Sequence, residues 1–279
     1  MTQAKRTPPR LLEVVHVEDL SPSMRRIHLS GEQLNHFPHN SDGAHIKLML
    51  PQAHQQSPVL PTLGEQGPIW PEPHERPIVR TYTVAKYDER LKILAVDFVK
   101  HGDNGPASKW AIQAQIGQKI GVAGPAGPAR HDATADYFLL ITDLSGLPAV
   151  RSVLAALPHD AKGQVWIEVQ YSVDVIALTP PKGVRVHWLM RGQGLRAGDS
   201  RLLLEAVQKL PWDKLTRHGK ISVTLAGESA QVVAIRDFLR HERHIPRTQM
   251  YAVPYWKDEQ TEEQYHAERH KIMDEMDAS

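Results

Sequence analysis

The stretch Gly124-Pro125-Ala126-Gly127-Pro128 splits the hydrophobic rhythm of the chain in two, and each half permits a different kind of fold. Upstream, Leu11 to Val17, Met24 to Leu29, His45 to Leu50, Val79 to Ala85, Leu91 to Val99 and a segment ending at Ala123 read as short strands. Arg26 and His28 alternate with Ile27 and Leu29 in the second of them, the mark of a strand with one buried face. One short helix, Pro106 to Gln115, interrupts the series. Short strands with a single small helix predict an antiparallel, six-stranded β-barrel. Downstream, strand candidates Tyr137 to Thr142, Gln164 to Tyr171, Val184 to Leu189 and Lys220 to Ala226 alternate with helix candidates Ser145 to Ala156, Arg201 to Lys209 and Glu228 to His241. That alternation predicts a mostly parallel sheet covered by helices. The expected fold class is therefore β followed by α/β, with a barrel over 1–130 and an α/β unit over 131–279, and the Gly/Pro stretch is expected to break regular structure just before the boundary.

The chain has 279 residues with 41% hydrophobic content, enough for two domains with real cores. Charge is balanced, 33 Lys and Arg against 32 Asp and Glu, which excludes the electrostatic footprint of a dedicated nucleic-acid binder. There is no cysteine, so disulfides, Cys-ligated iron–sulfur clusters and thiol redox pairs are excluded, and redox chemistry would need an organic cofactor. Met1 to Arg10 is polar and basic without the apolar run of a signal peptide, and no stretch reaches membrane-spanning length, so the expected location is the cytoplasm. From Pro51 to Pro77 the density of Pro, Gln, His and Gly predicts a long surface loop, either a lid or an indifferent insertion. From Lys257 onward the chain is charged and expected to be helical, with Tyr265, Ile272 and Met276 as a narrow apolar stripe. Sixteen histidines include His266 and His270 at helical spacing, but surface histidines are the expected reading and no metal site is assigned.

Two segments of the first half look suited to a dinucleotide. In Arg80-Thr81-Tyr82-Thr83 a strand's period of two sets Arg80 and Tyr82 on one face, a cation beside a ring. In His101-Gly102-Asp103-Asn104-Gly105-Pro106-Ala107-Ser108-Lys109-Trp110 an apolar strand runs into a glycine-bearing turn, and Pro106 fits the first position of a helix. The N–H groups of Ala107 and Ser108 would lie unpaired at that helix start, where phosphate binds well. In the second half, Asp143 and Ser145 follow one parallel strand and Gly227 and Glu228 another, at the strand ends where ligands of such sheets sit.

These segments resemble the flavin-binding signature of the siderophore-interacting proteins, FAD-containing ferric-siderophore reductases within the ferredoxin-reductase-like superfamily. The resemblance extends through His45-Ile46-Lys47-Leu48, Gly124-Pro125, Asp143 with Leu147-Pro148-Ala149, Ala226-Gly227-Glu228 and Tyr255-Trp256-Lys257. It implies an FAD-binding barrel followed by an NAD(P)H-binding-like domain. Arg80 is then expected at the pyrophosphate, Tyr82 and Thr83 against the isoalloxazine and ribityl portions, and Ala107 and Ser108 as donors. Asp97, Val99, His101, Gly105, Trp110 and Trp256 complete the expected cofactor contacts, with Asp143 and Ser145 near the nucleotide half. Where the family usually has glycine before the Asp, this chain has Thr142.

The implied substrate is an Fe(III) siderophore, whose hard oxygen ligands release iron once it is reduced to Fe(II). Lys47, Arg130 and Lys257 are the expected substrate-binding cations. The resemblance implies no protein acid or base, because the flavin carries the chemistry. The donor stays open among NADH, NADPH and ferredoxin, since the chain has no G-x-G-x-x-G and Gly192 to Leu195 reads as a plain turn. Two other readings stand beside it: a flavin-dependent electron-transfer reductase with a protein partner, and a non-catalytic siderophore-binding protein.

Overall fold

Alternation at period two closes the first half of the chain into a barrel. In the computed structural model, which describes residues 7–102, 105–128, 131–215 and 219–278, the strands there are β1 (Arg10–Ser21), β2 (Met24–Ser30), β3 (Ala44–Leu50), β4 (Thr62–Gly64), β5 (Gly67–Ile69), β6 (Ile78–Asp88), β7 (Ile93–Val99) and β8 (Lys119–Pro128). Six of them close in the order β1-β2-β7-β6-β3-β8, every pair antiparallel. Inward positions such as Val14, Ile27, Leu48, Val96, Phe98 and Val122 are fully buried. Helix α1 (Pro106–Gln113) adds Ala107 and Ala111 to the same core. Its C-terminal carbonyls are held by Arg25, whose Nη1 donates to Ala111 O at 3.2 Å and Ile112 O at 2.8 Å, the helix end where a cation is favoured.

Two features of this half differ from expectation. The Gly/Pro stretch does not end β8, which continues to Pro128. Its pairing with β3 shifts register twice around His45, and such irregularities accommodate a proline that cannot donate to the ladder. Buried Arg10 secures the segment by donating from Nη1 to Gly124 O at 2.7 Å. The run from Pro51 to Pro77 also contains a hairpin, with Thr62 opposite Ile69 and Gly64 opposite Gly67. Its base is tied by Gln52 Nε2 to Arg76 O at 2.7 Å and Gln55 Nε2 to Glu75 O at 3.2 Å.

The second half contains β9 (Tyr137–Asp143), α2 (Leu147–Ala156), β10 (Lys162–Val169), β11 (Gly183–Met190), α3 (Leu202–Gln208), α4 (Trp212–Leu215), β12 (Ile221–Glu228), α5 (Ser229–Asp237), β13 (Met250–Trp256) and α6 (Glu262–Ala278). The sheet order is β11-β10-β9-β12-β13, and all pairs are parallel. Strand β13 is an addition to the expected set. Its Pro254 is tolerated because β13 lies at the sheet edge. Helix α5 gives way to a π-helical turn at Phe238–Glu242, so the apolar face of Val232, Ile235 and Leu239 is buried across two kinds of helix. Arg236, on the rim of that face, pairs with Asp237 at 2.6 Å. On α6, Tyr265 is buried and Ile272 packs against the core, whereas the side chain of Met276 lies outside the described residues.

The chain divides into compact units Met1–Pro128 and Ala129–Ser279. Among the described residues no helix is long and apolar enough to cross a membrane. The barrel core leads to a first prediction. Phe98→Ala, at a fully buried site, is expected to destabilise the protein by about 3–5 kcal/mol, read as a lowered urea midpoint with the m-value unchanged.

Candidate functional site

Register places the residues of the first motif. Across β3 and β6, Leu48 stands opposite Arg80 and Ile46 opposite Tyr82, while Lys47 faces Thr81 and His45 faces Thr83. Leu48 and Ile46 are buried in the barrel, so Arg80 and Tyr82 share that parity; both are half-buried. Arg80 Nη1 donates to Val79 O at 2.8 Å, and Lys47 Nζ donates to Thr81 Oγ1. Thr83 is buried on the other parity.

Aromatic contacts carry this position through to α1. The Tyr82 ring lies 4.5 Å from the Phe98 ring, and Phe98 lies 5.6 Å from Trp110, all three tilted. Trp110 is thus a packing residue of the barrel end as well as a member of the second motif. Helix α1 begins on Gly105, which supplies no side-chain cap, and its first intrahelical bond runs from Lys109 N to Gly105 O at 2.9 Å. The N–H groups of Ala107 and Ser108 therefore lie outside the helical ladder, as at any helix start. The Ser108 hydroxyl is engaged internally: it accepts from His101 N at 3.0 Å and donates to Gly102 O at 2.8 Å, fixing the turn that leads into the helix. Any donors this serine offers an anion are backbone ones. His101 is exposed, Val99 is half-buried at the end of β7, and Asp103 and Asn104 lie outside the described residues.

Asp97 is held by a partner that the local sequence does not disclose. Its side chain is fully buried, and Arg26 on the neighbouring strand reaches it with Nε to Oδ1 at 2.6 Å and Nη2 to Oδ2 at 2.9 Å. This bidentate pair satisfies a carboxylate that would otherwise be costly to bury.

At the carboxyl edge of the parallel sheet, Asp143, Ser145 and Trp256 come together, but around one another. Asp143 Oδ1 accepts from Ser145 N at 2.7 Å and from the Ser145 hydroxyl, and Oδ2 accepts from Glu228 N at 2.9 Å and Trp256 Nε1 at 2.8 Å. Four donors fill the lone-pair sites of a carboxylate, and they tie the ends of β9, β12 and β13 into one clasp. Gly227, at φ +148, belongs to it, since a Cβ there would approach Asp143 Oδ2 to 2.9 Å. Gly146 makes room for the side chain of Thr142, whose Oγ1 would collide with a Cβ at that position.

Two more buried carboxylates share this edge. Glu228 caps α5 by accepting from Gln231 N at 3.1 Å and also accepts from Asp258 N at 3.3 Å; burial raises its pKa against those hydrogen bonds. Glu168 accepts from Arg191 Nη1 at 2.7 Å, Ser200 Oγ at 2.6 Å and Gln231 Nε2 at 3.3 Å. The Glu168 network joins residues 23 to 63 positions apart, which no local pattern announces. Its one signal was a single acid in the apolar run Val165-Trp166-Ile167-Glu168-Val169. The Gly192 to Leu195 segment is a turn closed by Arg191 Nε to Leu195 O at 2.9 Å.

Of the three expected substrate cations, Lys47 lies on β3 beside Thr81, Lys257 is paired with Glu268 of α6 at 2.6 and 2.7 Å, and Arg130 lies outside the described residues.

Comparison with known proteins matches residues 13–129 to a family model described as the siderophore-interacting FAD-binding domain, and residues 135–259 to one described as siderophore-interacting protein. The chain is 37% identical over 273 residues to a ferric vibriobactin reductase, ViuB, of Vibrio cholerae, covering 98% of each. It is 36% identical over 250 residues to an NADPH-dependent ferric-chelate reductase of Escherichia coli, covering 88% of this chain and 92% of that one. The crystal structure of the siderophore-interacting protein SipS from Aeromonas hydrophila superposes with a TM-score of 0.82 at 36% identity, covering 96% of this chain and 98% of that one.

The sheet edge makes two predictions. Asp143→Ala leaves the Glu228 N–H and the Trp256 indole N–H without their acceptor, at about 1–3 kcal/mol for each donor, and a urea titration should show a matching loss of stability. For Glu228, a folded pKa above the unfolded one means that the native state binds the extra proton, so its titration destabilises the fold at neutral pH and ceases to do so below the unfolded value of about 4. The stability of wild type relative to Glu228→Gln should therefore rise as pH falls through the carboxylate range, measured as the difference between their urea midpoints.

Proposed function

Because the chain belongs to the siderophore-interacting protein family, we propose that it is an FAD-dependent ferric-siderophore reductase that takes electrons from a reduced nicotinamide and releases Fe(II) from the chelate in the cytoplasm. NADPH is the donor of choice, on the name of the Escherichia coli relative, with NADH and ferredoxin as the other donors to assay. The balance is one NADPH oxidised to NADP+ and a proton for two Fe(III) reduced to Fe(II).

The observation that carries the reading is the convergence of two anion-suited features on one aromatic stack. Half-buried Arg80 stands two residues from Tyr82, and the uncapped start of α1 stands a few residues before Trp110, while Phe98 touches both rings. A guanidinium and helix-start N–H groups outside the helical ladder are of the kind that suits a pyrophosphate, so the residues present fit a flavin dinucleotide. In this reading Arg80 and the N–H groups of Ala107 and Ser108 would neutralise and orient the pyrophosphate, with Gly105 adding no side chain at the helix start. Tyr82 would hold the flavin with its ring and Thr83, on the opposite parity of β6, with its backbone, and Val99 and His101 would contribute from the end of β7. Asp97, Asp143, Ser145, Trp110 and Trp256 act indirectly, by holding the strands and α1 in place through the contacts described above. A bound flavin supplies the redox chemistry, exchanging electrons with a two-electron donor on one side and a one-electron acceptor on the other.

For the substrate, an anionic ferric chelate calls for cations. Lys47 shares β3 with the residues facing the flavin motif, and Lys257 and Arg130 are the remaining candidates. In the test, Fe(II) is captured by a chromogenic chelator while NADPH oxidation is followed. The reading expects trapped iron in a two-to-one ratio to NADPH, and colourless protein that cannot be loaded with flavin contradicts it. In addition, Arg80→Ala should weaken FAD binding by about 10- to 100-fold, the worth of a charge-assisted hydrogen bond, measured by fluorescence on the deflavinated protein.

A further inference from the structure

Two imidazoles on α6 take no part in the flavin or sheet-edge groups. His266 and His270 are exposed, one helical turn apart, and their Nε2 atoms stand 3.3 Å from each other. The ring centroids are farther apart, at 4.5 Å, with planes tilted by 58°, so the two nitrogen edges face a common gap. Spacing of i and i+4 on a helix stacks side chains in this way. A hydrogen bond between two neutral rings at that separation is long, whereas the gap suits a metal ion. With metal–nitrogen bonds of about 2.1 Å, nitrogens 3.3 Å apart subtend about 104° at an ion, between the octahedral angle of about 90° and the tetrahedral angle of about 109°.

We propose that His266 and His270 form a bidentate surface site for a divalent first-row transition-metal ion. Imidazole is a borderline ligand, so Cu(II), Ni(II) and Zn(II) bind there more tightly than Fe(II), and hard Fe(III) is disfavoured. Both rings ligate as the neutral form with the proton on Nδ1. Glu263 and Asp274 fall on the same helical stripe, three residues before and four after the pair, and add negative charge. Among the described residues no third His, Asp or Glu closes on the pair, so water completes the coordination and the site is reversible rather than structural. The proposal does not rest on the reductase reading.

Zn(II) or Ni(II) ions alone are titrated calorimetrically into the full chain carrying no polyhistidine tag, with His266→Ala, His270→Ala and the exposed loop variant His54→Ala beside it. Wild type and His54→Ala should bind one equivalent alike. Each α6 variant should bind about 100-fold more weakly, the loss of a second linked ligand. Circular dichroism checks that α6 stays helical, and His266→Gln replaces the alanine variant if it does not. Absence of saturable binding to wild type, or a loss under about tenfold in either α6 variant, overturns the proposal.

Discussion

The contact on which the barrel site depends is the tilted stack of Tyr82, Phe98 and Trp110. Phe98 is fully buried and touches a ring on each side, so one side chain on β7 links β6 to α1 in addition to the β6–β7 ladder. Each aromatic pair adds about 0.5–1.5 kcal/mol beyond the area it buries, and its geometric preference matters as much as its energy. Arg80 and the start of α1 belong to segments separated by a whole strand and turn. The stack links Tyr82, two residues after Arg80, to Trp110 in the first turns of α1. Arg25 holds the far end of α1 through the last carbonyls, so the helix is fixed at both termini.

Around this frame most polar groups are engaged by the fold itself. Asp97 is taken by Arg26, the Ser108 hydroxyl by the turn, and Asp143 by four donors from three strand ends. Asp143, Glu168 and Glu228 bring three carboxylates to the carboxyl edge of the parallel sheet, each satisfied by its own chain. Burying three acids so close is tolerable only because every one has several N–H, O–H or guanidinium partners. A ligand approaching that edge meets acceptors already filled, so recognition there falls to other groups. At the barrel end Arg80 is half-buried and donates to Val79 O, and Ala107 and Ser108 at the start of α1 are buried.

The barrel and the parallel sheet were legible because their strands obey simple periods: Ile27 and Leu29 face in while Arg26 and His28 do not, and apolar helices separate β9 from β10 and β11 from β12. The site motifs were legible as local strings. What escaped was set by distance or compensation. Arg26 and Asp97 are 71 residues apart, so nothing near Asp97 announces its partner. The Asp143 clasp needs a backbone N–H from β12 and an indole from β13, and β13 itself was hidden by Pro254, harmless only at a sheet edge. The β4–β5 hairpin was masked by prolines and glycines that normally mark loops, and the continuation of β8 through Gly124 and Pro125 depends on shifts in register that no single-strand pattern encodes. Thr142 departs from a glycine position, and its side chain packs against Gly146 four residues on.

The measurement that bears most directly on the reductase function is anaerobic reoxidation of flavin held by this chain, photoreduced beforehand with a sacrificial amine as electron donor and with no nicotinamide or ferredoxin present, on mixing with a ferric siderophore and a chromogenic Fe(II) chelator. The account predicts that the oxidised flavin absorbance returns in step with the appearance of the Fe(II) complex. Flavin that stays reduced in the presence of ferric siderophores of the catecholate, hydroxamate and mixed classes would contradict it.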